Sequence, residues 1–177
     1  MNPQELVAHG FSPEWAVFLT SLMPVVELRG ALPLAINVFH IPWYKAFIIS
    51  FIGNILPVPF ILLFLKPITD LLCKIKIFKK FFNWLFKQTR KKSIIIEKYE
   101  ELGLLIFVAI PFPGTGAWTG ALLAYLIAID FKKSIFFIYL GVFIAGIIVT
   151  SLCLIGWAGA IIAAITILIT ILLRILV

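Results

Sequence analysis

Two long apolar stretches of this chain are each interrupted near their middle by the residues least compatible with a helix. The first interruption reads Pro24-Val25-Val26-Glu27-Leu28-Arg29-Gly30-Ala31-Leu32-Pro33. The second reads Pro111-Phe112-Pro113-Gly114-Thr115-Gly116-Ala117-Trp118-Thr119-Gly120. With 63% hydrophobic and 13% charged residues, the chain has more apolar surface than a soluble domain of its size can hide, which predicts an integral membrane protein. Inside hydrocarbon, irregular backbone survives only where protein buries it or where it lines a wet cavity, because unsatisfied amide groups are costly. Paired broken segments in two halves of a membrane protein point to a binding site near the bilayer midplane.

Segment length says how the chain threads the bilayer. Trp43–Leu65, 134–155 and 158–176 are long enough as helices to cross a hydrocarbon core of about 30 Å. Pro57 and Pro59 are expected to kink the first of them. The apolar pieces 13–23, 31–41, 99–110 and 117–129 reach only about half that depth, and each pair flanks one interruption. The expectation is two re-entrant hairpins, 13–41 and 99–129, each leaving the membrane on the side it entered.

Charge orients this arrangement. Lys66, Lys74, Lys76, Lys79, Lys80, Lys87, Arg90, Lys91, Lys92 and Lys98 crowd one loop, and such loops stay in the cytoplasm. A re-entrant second hairpin keeps Lys132 and Lys133 on that same side, with Arg174 and the C-terminus; a single crossing would separate them. The acidic start of the chain, with Glu5 and Glu14, then faces outward and lacks the basic region of a signal peptide. Lys45 lies near the outer surface, where a lysine can snorkel. Between Leu71 and Lys87, Leu71, Ile75, Phe78, Phe82 and Leu85 recur at helical spacing opposite Lys76, Lys80 and Lys87, as in a helix lying on anionic lipid.

The halves echo each other. Gly30-Ala31-Leu32 returns as Gly120-Ala121-Leu122, and Lys45 with Gly53 returns at the same internal spacing as Lys133 with Gly141. The predicted fold is therefore an all-α integral membrane domain over 1–177 built as an inverted repeat of re-entrant hairpin plus transmembrane helix. Repeat one covers 1–65, the basic cytoplasmic loop 66–98, repeat two 99–155, and a further transmembrane helix 156–177.

Glu27 and Arg29 are the residues most in need of a reason, since a charge deep in a bilayer costs at least about 2.5–3.5 kcal/mol on insertion scales. One reading makes Arg29 a planar fork for an anionic guest and Glu27 the proton-coupling group. In that reading Gly30, Gly114, Thr115, Gly116, Trp118 and Thr119 join Arg29 in holding substrate, with half-helix N-termini aimed at the guest. Competing readings are a structural Glu27–Arg29 pair, a helix cap, or a cationic guest facing Glu27. Asn37 and Asn54 are expected to bond between helices, and Gly141, Gly146, Gly159 and Ala163 to allow close helix approach. Cys73 and Cys153 are not expected to meet, and neither a metal nor a cofactor is implied. Catalytic motifs are absent: there is no zinc-type helix motif and no Gly-x-Ser-x-Gly elbow, which argues against an enzyme.

Glu27-Leu28-Arg29-Gly30-Ala31-Leu32-Pro33 together with Pro111-Phe112-Pro113-Gly114-Thr115-Gly116-Ala117-Trp118-Thr119-Gly120 resemble the small multidrug export protein family of bacteria and archaea. That family is similar in layout to the DedA (VTT-domain) superfamily, whose re-entrant hairpins face each other in the membrane; the second break here carries neither the arginine nor the acid usual in DedA proteins. The resemblance implies lipid flipping or proton-coupled drug export. The expectation is a small, proton-coupled inner-membrane transporter of an amphiphile, either a drug-like molecule or a lipid phosphate. Its partners would be membrane lipids, protons and a second copy in a homodimer, with no nucleic acid. The alternative from another class is a non-transporting scaffold that binds anionic lipid or a partner through Lys76, Lys80 and Lys87.

Overall fold

The structure is a computed structural model that describes residues 12–72, 100–112 and 114–156. Among these residues there are only helices and their connections. Helix α1 (Pro13–Leu22) starts with Ser12, whose hydroxyl accepts the Trp15 amide, and with a proline at its first turn, where a missing N–H costs nothing. Helix α2 (Glu27–Pro33) follows a short turn and continues into a π-helical turn, Leu34–Val38. Then come α3 (Trp43–Ile55), α4 (Pro57–Leu72), α5 (Glu100–Ala109), α6 (Ala117–Leu126) and α7 (Phe131–Leu154). The expected helix at 158–176, the amphipathic face beyond Leu72 with Lys76, Lys80 and Lys87, and Cys73, Gly159 and Ala163 lie outside the described residues.

Among the described residues, two helices are long and apolar enough to cross a membrane: Trp43–Leu65, formed by α3 and the start of α4, and Phe131–Leu154. Pro57 interrupts the first only at Leu56, whose amide still reaches the Ile52 carbonyl at 3.1 Å. The two run antiparallel, since Phe47, early in α3, lies against Gly146, late in α7, while Phe51 and Phe47 both meet Phe143 edge to face. The legs α1, α5 and α6 have ten residues each, about 15 Å of helix.

One expectation is corrected. The second leg of the first hairpin begins at Glu27, not at residue 31, so Glu27, Arg29 and Gly30 belong to a helix rather than to an unwound break. Pro33 is accommodated because it comes last in α2; the bond its missing N–H forfeits is followed at once by the wider π turn. The echoes are offset by 90 residues at Gly30 and Gly120 but by 88 at Lys45 and Lys133, and that turn takes up part of the difference.

The feet of each hairpin are tied by an ion pair. Lys45 Nζ reaches Glu14 Oε1 at 2.9 Å, joining the start of α1 to the start of α3. Lys133 Nζ reaches Glu101 Oε1 at 2.7 Å, joining the start of α5 to the start of α7. In each hairpin the incoming leg and the helix that follows the outgoing leg therefore begin side by side. The hydrogen bond from Lys45 holds the Glu14 carboxyl below its ordinary pKa. The turns at the feet match as well: His40 (φ 52°) and Ala128 (φ 63°) are left-handed, and the following Ile41 and Ile129 bond back to Ala35 and Ala124. Asp130 caps α7 by accepting the Lys132 amide at 3.1 Å.

The core is a single apolar cluster shared by both hairpins and both long helices, with Leu28, Leu32, Leu104, Val108, Ile138 and Val142 at its centre. Gly53 lies against Phe18 and Ser21 of α1, and Gly141 lies against Leu105 and Val108 of α5. Gly141 and Gly146 thus do what small residues do between membrane helices, letting neighbours approach closely.

Candidate functional site

The tips of the two hairpins meet at Glu27 and Arg29. Glu27 opens α2 at φ 52°, a left-handed conformation uncommon outside glycine, and its side chain is 5% exposed. Arg29 Nη1 donates to Glu27 Oε2 at 2.7 Å, forming an ion pair two residues apart within one helix. The other face of the fork crosses to the second hairpin. Arg29 Nη2 donates to the carbonyls of Val108 and Ile110 at 3.0 and 3.1 Å and to Thr115 Oγ1 at 3.2 Å. Thr115 Oγ1 in turn lies 2.8 Å from the carbonyls of both Ile110 and Phe112 and shares its one proton between them. One guanidinium therefore ties the end of α5 and the turn beyond it to the start of α2.

Glu27 makes the reciprocal contact. Its Oε1 accepts the backbone N–H of Trp118 at 3.3 Å, so the carboxylate occupies the amide-rich N-terminal end of α6. A negative charge is favourable there, because the first amides of a helix have no partner within it and carry its positive dipole end. Gly116 is what permits this approach. A methyl group at position 116 would collide with Glu27 Oε2 and Arg29 Nη1.

Of the residues expected to hold substrate, Arg29, Thr115, Gly116 and Trp118 come together. Gly30 and Gly114 do not join them. A side chain at 30 would run into Val26 of its own hairpin, and Gly114, at φ 86°, is exposed with open space around its Cα. The N-terminal amides of α6, expected to face a guest, meet the protein's own carboxylate instead. Arg29 Nε, Trp118 Nε1 and Thr119 Oγ1 are buried polar atoms without a partner among the described residues. Asn37 is exposed, and Asn54 Oδ1 is buried without the interhelical bond expected of it. The Val108 and Ile110 carbonyls were not foreseeable, since a backbone acceptor freed at a helix end leaves no mark in residue identity. The described His, Cys, Asp and Glu residues form no group of three or more that could hold a metal ion.

No curated protein and no solved structure matches the chain. A family comparison does, over residues 27–148, under the description "Putative small multi-drug export protein". The matched span opens at Glu27 and contains the tip cluster, α5, α6 and most of both long helices. With well over half of its length matched, this integral membrane protein belongs to the small multi-drug export protein family.

Proposed function

We propose that the chain is a small secondary transporter of the inner membrane that carries an amphiphile past the junction of two re-entrant hairpins, coupled to protons through Glu27. The observation that carries this reading is the buried Glu27–Arg29 pair clasping the tips of α1–α2 and α5–α6 in a protein of an export family. Intramembrane ionisable residues are expensive and mark pathways for ions and substrates. Support for re-entrant hairpins comes from legs of about half a membrane's depth whose feet are paired by Glu14–Lys45 and Glu101–Lys133. Support for an inverted repeat, and for a DedA-like layout, comes from the antiparallel long helices with equivalent glycines against equivalent legs. In this orientation the Lys132–Lys133 foot and the basic segment 66–98 are cytoplasmic.

The chemistry follows from what the carboxylate holds. Ionised Glu27 satisfies Arg29 and the Trp118 amide and keeps the tips clasped. A proton on Glu27 removes its charge, and Arg29 and the α6 N-terminus are left to an anionic head group, phosphate or carboxylate, of an amphiphilic guest. Guest and carboxylate thus exchange for the same donors, which couples proton uptake to loading. Trp118 and Thr119 supply a ring and a hydroxyl beside those donors, and Thr115 steadies the arginine.

Flux of anionic and cationic amphiphilic dyes through proteoliposomes, at pH values on either side of neutrality, tests this. The native protein is expected to move a dye with a rate that depends on pH, and Glu27→Gln, less stable but folded once reconstituted, to lose that dependence. Unchanged pH dependence in Glu27→Gln would remove the carboxylate from the mechanism.

A further inference from the structure

The break between α5 and α6 strips helix carbonyls of their usual donors. In a continuing helix the Val108 carbonyl would accept the Phe112 amide, but that amide turns back to the Ile110 carbonyl at 2.8 Å. Pro111 and Pro113 have no N–H to offer the carbonyls of Phe107 and Ala109. The end of α5 therefore presents oxygens at the negative pole of its dipole. Three oxygens converge there on one nitrogen. Arg29 Nη2 lies 3.0 Å from the Val108 carbonyl, 3.1 Å from that of Ile110 and 3.2 Å from Thr115 Oγ1.

The occupant matches this cage imperfectly. A guanidinium Nη carries two N–H groups, whereas three oxygens surround this one. Thr115 shares its own proton between the Ile110 and Phe112 carbonyls, so toward Arg29 it acts as an acceptor. A primary ammonium carries three N–H groups, one for each oxygen. The distances suit nitrogen, because N–H···O contacts run to about 3.2 Å. They are too long for a bare calcium ion, which binds oxygen at about 2.3–2.6 Å. The cage is also reachable. The contact of Arg29 with the Ile110 carbonyl lies at an exposed edge, Ile110 is half exposed, and Gly114 has open space beside it.

We infer that this cage is a binding site for a primary ammonium group, with Arg29 filling it when no guest is bound. In hydrocarbon a bare Val108 carbonyl is costly, so Arg29 can turn to the anion of a guest only as another donor replaces it. Glu27 and Arg29, in contact at 2.7 Å, already span the two helix ends, with the carboxylate on α6 and the cation on α5. A head group with an anion beside a primary amine reproduces that pair. The guest is then a zwitterionic amphiphile. This last step rests on the proposed transport, whereas the ammonium site does not.

Thermal melting of Glu27→Gln, Arg29→Ala in detergent tests the site, since the double variant empties the cage and removes the competing carboxylate. Methylammonium is expected to raise the melting temperature saturably. Sodium and tetramethylammonium, which have no N–H, are expected to leave it unchanged at the same concentrations. Adding Thr115→Val, which removes one acceptor, is expected to raise the methylammonium midpoint by about fivefold. The same shift with all three cations, or none with methylammonium, would overturn the site. The native protein in liposomes provides a second test that needs no variant. It is expected to move an alkyl phosphoethanolamine at least about tenfold faster than the N-trimethyl counterpart, an alkyl phosphocholine, because a site built to hydrogen-bond rejects an analogue without the donors. Equal rates would overturn the ammonium match. Flux of neither, with the methylammonium shift intact, would count against the transport reading and leave the ammonium site standing.

Discussion

At the scale of single residues, the pattern of substitutions at Glu27 and Arg29 should report a coupled pair rather than two independent sites. Removing one partner of a buried ion pair typically costs about 3–5 kcal/mol, because the other charge is stranded; removing both charges is far milder. Arg29→Ala is therefore expected to unfold at clearly lower temperature than the native protein in detergent, and the double variant Glu27→Gln, Arg29→Ala to recover part of that loss. Strictly additive losses would mean that the 2.7 Å contact carries no coupling energy. The sequence already marked these two residues, since charges so deep in apolar surroundings need a reason. Their mutual pairing was one of several open readings. The contact itself rests on the left-handed turn at Glu27 and the space left by Gly116, both invisible until the second hairpin is in place.

At the scale of elements, the glycines divide into those that packing requires and those that it does not. A Cβ at position 141 would lie 2.8 Å from Val108 Cβ and 3.1 Å from the Leu105 carbonyl, with backbone on one side that cannot yield. Gly141→Ala should lower stability by about 1–3 kcal/mol, the range for overpacking a tight contact. Gly103, also helical, has nothing within 4 Å of such a Cβ. Gly103→Ala should leave stability unchanged or raise it by up to about 1 kcal/mol through helix propensity alone. Equal melting shifts for the two variants would contradict the α5–α7 packing. Helix positions were largely legible from apolar length: α1, α5, α6 and α7 begin and end within a few residues of the spans read from sequence. The start of α2 was misjudged because a proline at each end of 24–33 and Gly30 within it suggested an unwound stretch throughout. A helix of seven residues tolerates Pro33 at its last position, and a pattern of residue types does not distinguish the two cases.

At the scale of the whole molecule, the account stands on one topological claim: each hairpin turns back within the membrane, so that the two tips meet from opposite sides. Charge bias and half-length legs suggested this from sequence, and the ion pairs at the feet, the antiparallel long helices and the Arg29 bridge between hairpins fit it. Sided thiol labelling in intact cells tests the topology most directly, with single cysteines introduced at Glu100, Lys132 and Tyr44 in a Cys73→Ser, Cys153→Ser background. The account predicts that Glu100→Cys and Lys132→Cys are blocked from one face of the membrane and Tyr44→Cys from the other. Reaction of Glu100→Cys and Lys132→Cys from opposite faces would mean that α5–α6 crosses the membrane, and the junction of the tips would fall with it.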